Sequence, residues 1–173
     1  EGENRITSQG RGIFLTDSNN SGTRTLNVRG TGSLTIDSQM EGIRTDGAVT
    51  LDAVNLTVTY GFASGIITEY GDIVIQNGSR VTLKNSAGIT VSSAAVRTNN
   101  IGDVSIRNSH VIAVNSAGTA ISANGNVLFE SSQVRALGSA GYEGMITFGN
   151  GKNFTVNGGS LYVKNNQTPG YDI

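Results

Sequence analysis

The side chains able to do chemistry in this chain fall into a few groups. Asp72 and Asp103 each follow a glycine (Gly71, Gly102) and each precede a short alternating apolar segment. Two carboxylates brought into register, with Asp46 or Glu69 nearby, are hard oxygen donors of the kind that holds a Ca2+ ion. Asn126 and Asn153 occupy the equivalent positions further along. A column of such side chains has a second use, bonding one another and capping turns. Tyr60, Phe62 and Tyr70 form an aromatic cluster in sequence. Rings of this kind stack on sugar rings, or else pack under loops. Arg135 and Tyr162 occur with Ile112, Val114 and Leu137 at repeated positions. Together they make an apolar patch with a cation beside it, a surface that can bind a partner or else be covered by Tyr171 and the tail or by a neighbouring domain.

Nucleophilic catalysis is poorly supplied. The chain has one histidine, His110, and no cysteine. No Gly-x-Ser-x-Gly elbow leads into a helix. Gly149-Asn150-Gly151-Lys152 superficially resembles a phosphate loop but lacks its pattern. A zinc site would need several His or Cys.

The elements that must position these residues are repeats. One segment opens with Gly and an apolar or β-branched residue: Gly12-Ile13, Gly42-Ile43, Gly65-Ile66, Gly88-Ile89, Gly118-Thr119 and Gly144-Met145. A second alternates apolar and polar from Leu26, Val49, Ile73, Val104, Val127 and Phe154. A third follows from Leu34, Leu56, Val81, Val111, Val134 and Leu161. The offset from second to third is 7 or 8 residues throughout, as in 49 to 56 and 73 to 81. Alternation of this sort gives strands with one buried face. Links as short as Asn77-Gly78-Ser79 leave no room for a crossover helix. One such coil cannot bury its own apolar face, but stacked coils can, at about 4.8 Å per step. The expected fold is therefore all-β, a single-stranded right-handed parallel β-helix of about six coils and three sheets. A β-sandwich built from hairpins predicts no fixed three-part period.

The irregular places are expected at Asp17–Thr23 and at Ala94–Asn100, both read as insertions between first and second strands. A slight extension falls at 138–143. Insertions in solenoids collect on a binding face. A further polar column, Asp52, Gln76, Arg107, Glu130 and Asn157, closes the second strands. It predicts an exposed Arg107–Glu130 ion pair.

Composition sets the outer bounds. A net charge of −1, with charged residues at 14%, gives no field that would attract nucleic acid or an anionic membrane. No apolar run is long enough for a membrane-spanning helix. The 24 glycines imply frequent turns. The whole of 1–173 reads as a single domain, with both ends like the edges of a piece of a longer surface protein. Glu1–Gly10 is polar enough to cover the first coil, and 167–173 can lie over the last.

The segments Ser64-Gly-Ile-Ile-Thr-Glu-Tyr-Gly-Asp-Ile-Val-Ile-Gln-Asn-Gly-Ser-Arg-Val-Thr-Leu-Lys and Gly118-Thr-Ala-Ile-Ser-Ala-Asn-Gly-Asn-Val-Leu-Phe-Glu-Ser-Ser-Gln-Val carry a resemblance. They resemble coils of right-handed β-helix surface proteins of anaerobic, often gut, bacteria, with a pectate-lyase-like fold. The resemblance runs over about Gly42 to Asn166. It implies an extracellular or cell-surface location and a polysaccharide or cell-surface glycan as ligand, and it supplies no site residue. The expected function is a non-catalytic module that binds polysaccharide or mediates adhesion, with no cofactor unless Ca2+ is bound. The candidate ligand-binding residues are Tyr60, Phe62, Tyr70, Arg135 and Tyr162, and the candidate metal ligands Asp72 and Asp103. A purely structural stalk and a polysaccharide-degrading enzyme are the competing expectations.

Overall fold

The computed structural model describes residues 2–17, 19, 22–85, 96–116, 118–139, 144–165 and 171–172. These residues form strands and no helix. The strands are β1 (Glu3–Ser8), β2 (Ile13–Leu15), β3 (Leu26–Arg29), β4 (Ser33–Ser38), β5 (Ile43–Thr45), β6 (Val49–Asp52), β7 (Asn55–Tyr60), β8 (Ile66–Thr68) and β9 (Ile73–Gln76). They continue as β10 (Arg80–Asn85), β11 (Val96–Thr98), β12 (Val104–Arg107), β13 (His110–Asn115), β14 (Ile121–Ser122), β15 (Val127–Gly138), β16 (Ile146–Thr147), β17 (Phe154–Asn165) and β18 (Tyr171–Asp172).

Hydrogen bonding sorts them into three parallel ladders. The first is a separate sheet in the order β2-β5-β8-β11-β14-β16. The second runs β3-β6-β9-β12 and the third β1-β4-β7-β10-β13. These two meet in β15, whose first half pairs β12 and whose second half pairs β13. The sequence predicts three sheets, but the second and third ladders form one twelve-stranded sheet. The reason is local: β15 and β17 keep extended pairing through the corner that breaks the strand in earlier coils. Six rungs in the first ladder make five steps, so the solenoid completes about five turns. Counting repeats gave about six coils because it counts rungs rather than the path between them. β18 closes the last rung by antiparallel pairing with β17, Val163 opposite Tyr171.

The inward residues of the second ladder are Leu26, Val49, Ile73, Val104, Val127 and Phe154, directly stacked. Those of the third are Leu34, Leu56, Val81, Val111, Val134 and Leu161. Both match the sequence pattern. Between the two ends these side chains lose all or nearly all solvent contact, which supplies about 1.5–3 kcal/mol per large aliphatic group.

The first ladder departs from expectation after its third rung. Ile13, Ile43 and Ile66 are followed by Val96, Ile121 and Ile146. Gly88-Ile89 lies outside the described residues. Val96–Thr98, read from sequence as part of an insertion, is the ladder strand itself. The extra length therefore falls at 86–95, between third and first strands, where the neighbouring coils use only 61–65 and 116–120. The long loop 16–25 stays between first and second strands, so the two insertions occupy different corners.

The corner between the second and third ladders explains the constant offset. Gly30, Ala53, Asn77, Asn108, Ser131 and Gly158 stand at the same place in successive coils, and each has positive φ, from 46° at Asn108 to 112° at Gly30. This left-handed residue, followed by a second in Gly78 and Gly159, turns the chain without ending the coil. Buried serines lock the bend. Ser132 Oγ donates to Ile106 O one coil below at 3.1 Å, and Ser79 Oγ donates to Leu51 O at 3.2 Å. The glycine that opens a first strand has a packing reason. A Cβ on Gly42 would overlap the Val58 side chain and lie 2.6 Å from Gly65 O in the next coil.

Candidate functional site

The acidic column forms as expected, with one oxygen of each side chain bonded to the next coil. Asp72 Oδ1 accepts the backbone N–H of Asp103 at 2.8 Å. Asp103 Oδ1 accepts the backbone N–H of Asn126 at 2.7 Å, and Asn126 Oδ1 accepts that of Asn153 at 3.0 Å. Each side chain thus caps the strand one coil on. The extended backbone and the glycine before each capping residue bring the coils this close. A Cβ on Gly125 would collide with the Asp103 carboxylate. Among the described residues no three His, Cys, Asp or Glu converge as metal ligands would. Asp46 is fully buried, and its two oxygens accept the backbone N–H groups of Asp17 and Arg24, tying down the loop 16–25.

The column at the end of the second strands pairs as predicted. Arg107 Nε lies 3.4 Å from Glu130 Oε2 with both side chains exposed. Asp52 receives the amides of Asn77 at 2.8 Å and Gln76 at 3.3 Å. The Asn77 bond and then the Gln76 bond hold the Asp52 carboxyl below its ordinary value.

A network on the outer side of the first ladder was not foreseen. Glu41 is almost wholly buried between Arg11 Nε and Arg44 Nη1, each at 2.9 Å. Arg44 Nη2 reaches Glu69 Oε1 at 2.6 Å, without the alignment of a hydrogen bond, and Asn99 Nδ2 donates to Glu69 Oε2 at 2.8 Å. Burial pushes the Glu41 carboxyl up. A backbone N–H, the Arg44 bond and the charges of Arg11 and Arg44 together outweigh it and leave the carboxyl below its ordinary value. The one signal in the sequence was Glu41-x-x-Arg44, too common a spacing to single out.

The three aromatic candidates do not share a surface. Tyr60 is a correction: its ring is completely buried and its hydroxyl donates to Val114 O at 2.9 Å. It ends β7 in an inward position, in register with Ser38 and Asn85, so its ring fills the interior and cannot meet a sugar. Burial pushes its phenol well up. Phe62 and Tyr70 are exposed but flank β8 on opposite sides. Tyr70 packs against Gly22 of the long loop.

Arg135 and Tyr162 do come together. They are register partners on the outer face of the third ladder, continuing Thr57, Thr82 and Ile112. The Arg135 guanidinium sits 5.3 Å from the Tyr162 ring centroid. A groove of about 380 Å3 opens beside them, with Gln133, His110 and Ser160 on its wall. A second hollow of about 250 Å3 joins it at His110 and Gln133 and brings in Arg80. Arg80, His110, Gln133 and Ser160 are themselves a register column, the outward residues that start each third strand. The repeat could have exposed them, since each stands one place before a core residue. Among the described residues that line the two hollows there is no carboxylate.

No family model matches the chain, and no curated protein or solved structure is significantly similar to it. No helix among the described residues is long and apolar enough to cross a membrane.

Proposed function

We propose that this chain is a non-catalytic β-solenoid module, displayed outside the cell, that binds polysaccharide along the outer face of its third ladder. The observation that carries the reading is the Arg135–Tyr162 pair beside an open groove. The cation–π contact fixes both side chains in advance, which lowers the ordering cost of binding. An aromatic ring offers the flat apolar surface that receives the C–H face of a sugar. Arg135, Gln133 and Ser160 offer donors and acceptors for hydroxyls. Arg80 and Arg135, with no carboxylate among the described lining residues, suit a sugar carrying a negative group, such as a uronate. Neighbouring rungs repeat the same outward positions about 4.8 Å apart, a rigid track for a chain ligand.

Calorimetric titration with oligogalacturonate and with neutral oligosaccharides tests this. Wild type binds the charged ligand, and Arg135→Ala and Tyr162→Ala each weaken it by about tenfold or more, near 1.4 kcal/mol. Absence of binding to any polysaccharide leaves the solenoid as a structural stalk. Ca2+-dependent cleavage of polygalacturonate, lost in Asp72→Ala, would replace the module reading with an enzyme.

A further inference from the structure

A third hollow, of about 440 Å3, opens on the outer face of the second ladder, over Ser105. Ser105 points outward, since its neighbours Val104 and Ile106 are both core residues with no exposure. It is nevertheless 93% buried, with 7% of its surface exposed. The register explains this: the short serine lies between Leu128 on one side and Val74 on the other. The two larger side chains rise as banks and the serine becomes the floor of a trough. Its Oγ is buried and has no hydrogen-bond partner. A buried hydroxyl left unpaired costs about 1–3 kcal/mol, so an unpaired one facing a hollow marks a place where a polar group from outside is worth most.

The walls define what that group belongs to. Asp72 and Asp103 stand on the turn side and Arg107 on the other. Asp72 spends Oδ1 on the N–H of Asp103, and its other oxygen has no partner among the described residues. Acceptors, a donor and a hydroxyl therefore converge over two aliphatic banks. The two carboxylates oppose an anion. The aliphatic banks and Arg107 oppose a bare divalent cation, which wants six to eight oxygens. A neutral ring dense in hydroxyls satisfies each feature, with its hydroxyls on Asp72, Ser105 and Arg107 and its C–H face on Val74 and Leu128. The volume lies within the range of small-molecule sites.

We infer that the trough over Ser105 is a binding site for a neutral hexopyranose unit. The ligand class rests on the polysaccharide reading above, but the site lies on another face from Arg135 and Tyr162. The two faces have opposite charge character, so they select different sugars.

Amide-resolved NMR titration of the intact chain tests the site. The probes are cellotetraose, mannotetraose and β-1,4-galactotetraose, with trigalacturonate and CaCl2 as controls, each taken to millimolar concentration. At least one neutral tetraose is expected to shift the amides of Val74, Ser105 and Leu128 and to leave that of Arg135 in place. Ser105→Leu, which fills the trough, abolishes those shifts while its own spectrum stays folded. Arg107→Ala weakens them severalfold, and Arg135→Ala leaves them unchanged. The proposal is overturned if no neutral probe perturbs these amides, if the shifts survive in Ser105→Leu, or if CaCl2 alone produces them. Failure of trigalacturonate to bind would remove the Arg135 reading and leave this result standing.

Discussion

The Asp103 carboxylate takes three contacts from a single residue one coil on: the backbone N–H of Asn126 at 2.7 Å and its side-chain amide at 3.1 Å and 3.3 Å. The relationship makes the acidic column a set of strand caps first. Asp103→Asn keeps an acceptor at the same place, as Asn126 already does for Asn153. It should therefore change stability little in urea unfolding, whereas Asp103→Ala should lose about 1 kcal/mol. Melting with and without millimolar CaCl2 examines the same column. A cation held by Asp72 and Asp103 would raise the melting temperature by mass action, and no rise is expected.

The buried charge network makes a pH prediction. The folded Glu41 carboxyl lies below the ordinary carboxylate value of 4.5. A depressed carboxylate contributes stability that is complete above its unfolded pKa and disappears as pH falls through the folded one. Stability should thus be lost on acidification below about pH 4.5. Glu41→Gln should flatten that part of the profile. Arg44→Ala, which strips a partner from both Glu41 and Glu69, should cost about 2–3 kcal/mol at neutral pH. Equal acid sensitivity in wild type and Glu41→Gln would exclude this network as the cause.

The left-handed corner predicts a stabilising change. Ala53 has φ 56°, where an L side chain with a Cβ is strained. Ala53→Gly should stabilise the chain by about 0.5–1 kcal/mol, read as a shift in the urea midpoint without a change in slope. Asn108→Val, a β-branched residue at φ 46°, should do the reverse.

Phe129 tests the interior. Its ring is 1% exposed and meets Phe154 edge to face, with centroids 5.5 Å apart. Phe129→Ala should cost about 3–5 kcal/mol. Phe129→Asp, an unpaired charge in the same place, should abolish the folded far-UV signal. A mutant that melts like wild type would mean that Phe129 faces outward.

The all-β stacked architecture and the register of the second and third ladders are legible in the amino-acid sequence. Their apolar residues alternate over enough positions, and the 7-to-8 residue spacing between them is set by a tight left-handed corner of one or two residues. The first ladder was legible only through Ile66. Its strands are two or three residues long, so a single Gly-apolar pair had to stand for a strand, and Val96–Thr98 was hidden behind Gly88-Ile89. What depends on neighbours in other coils emerges from the folded arrangement. It placed Tyr60 inside and Phe62 outside, though both are aromatics two residues apart. It joined Arg11, Glu41, Arg44 and Glu69 across coils, and it buried the outward-facing Ser105 between two larger side chains. Alternation along a strand fixes which side a residue faces. How deeply it is buried there, and what it touches, depends on the residues stacked on either side, about 4.8 Å away and some 23 to 31 positions distant in sequence.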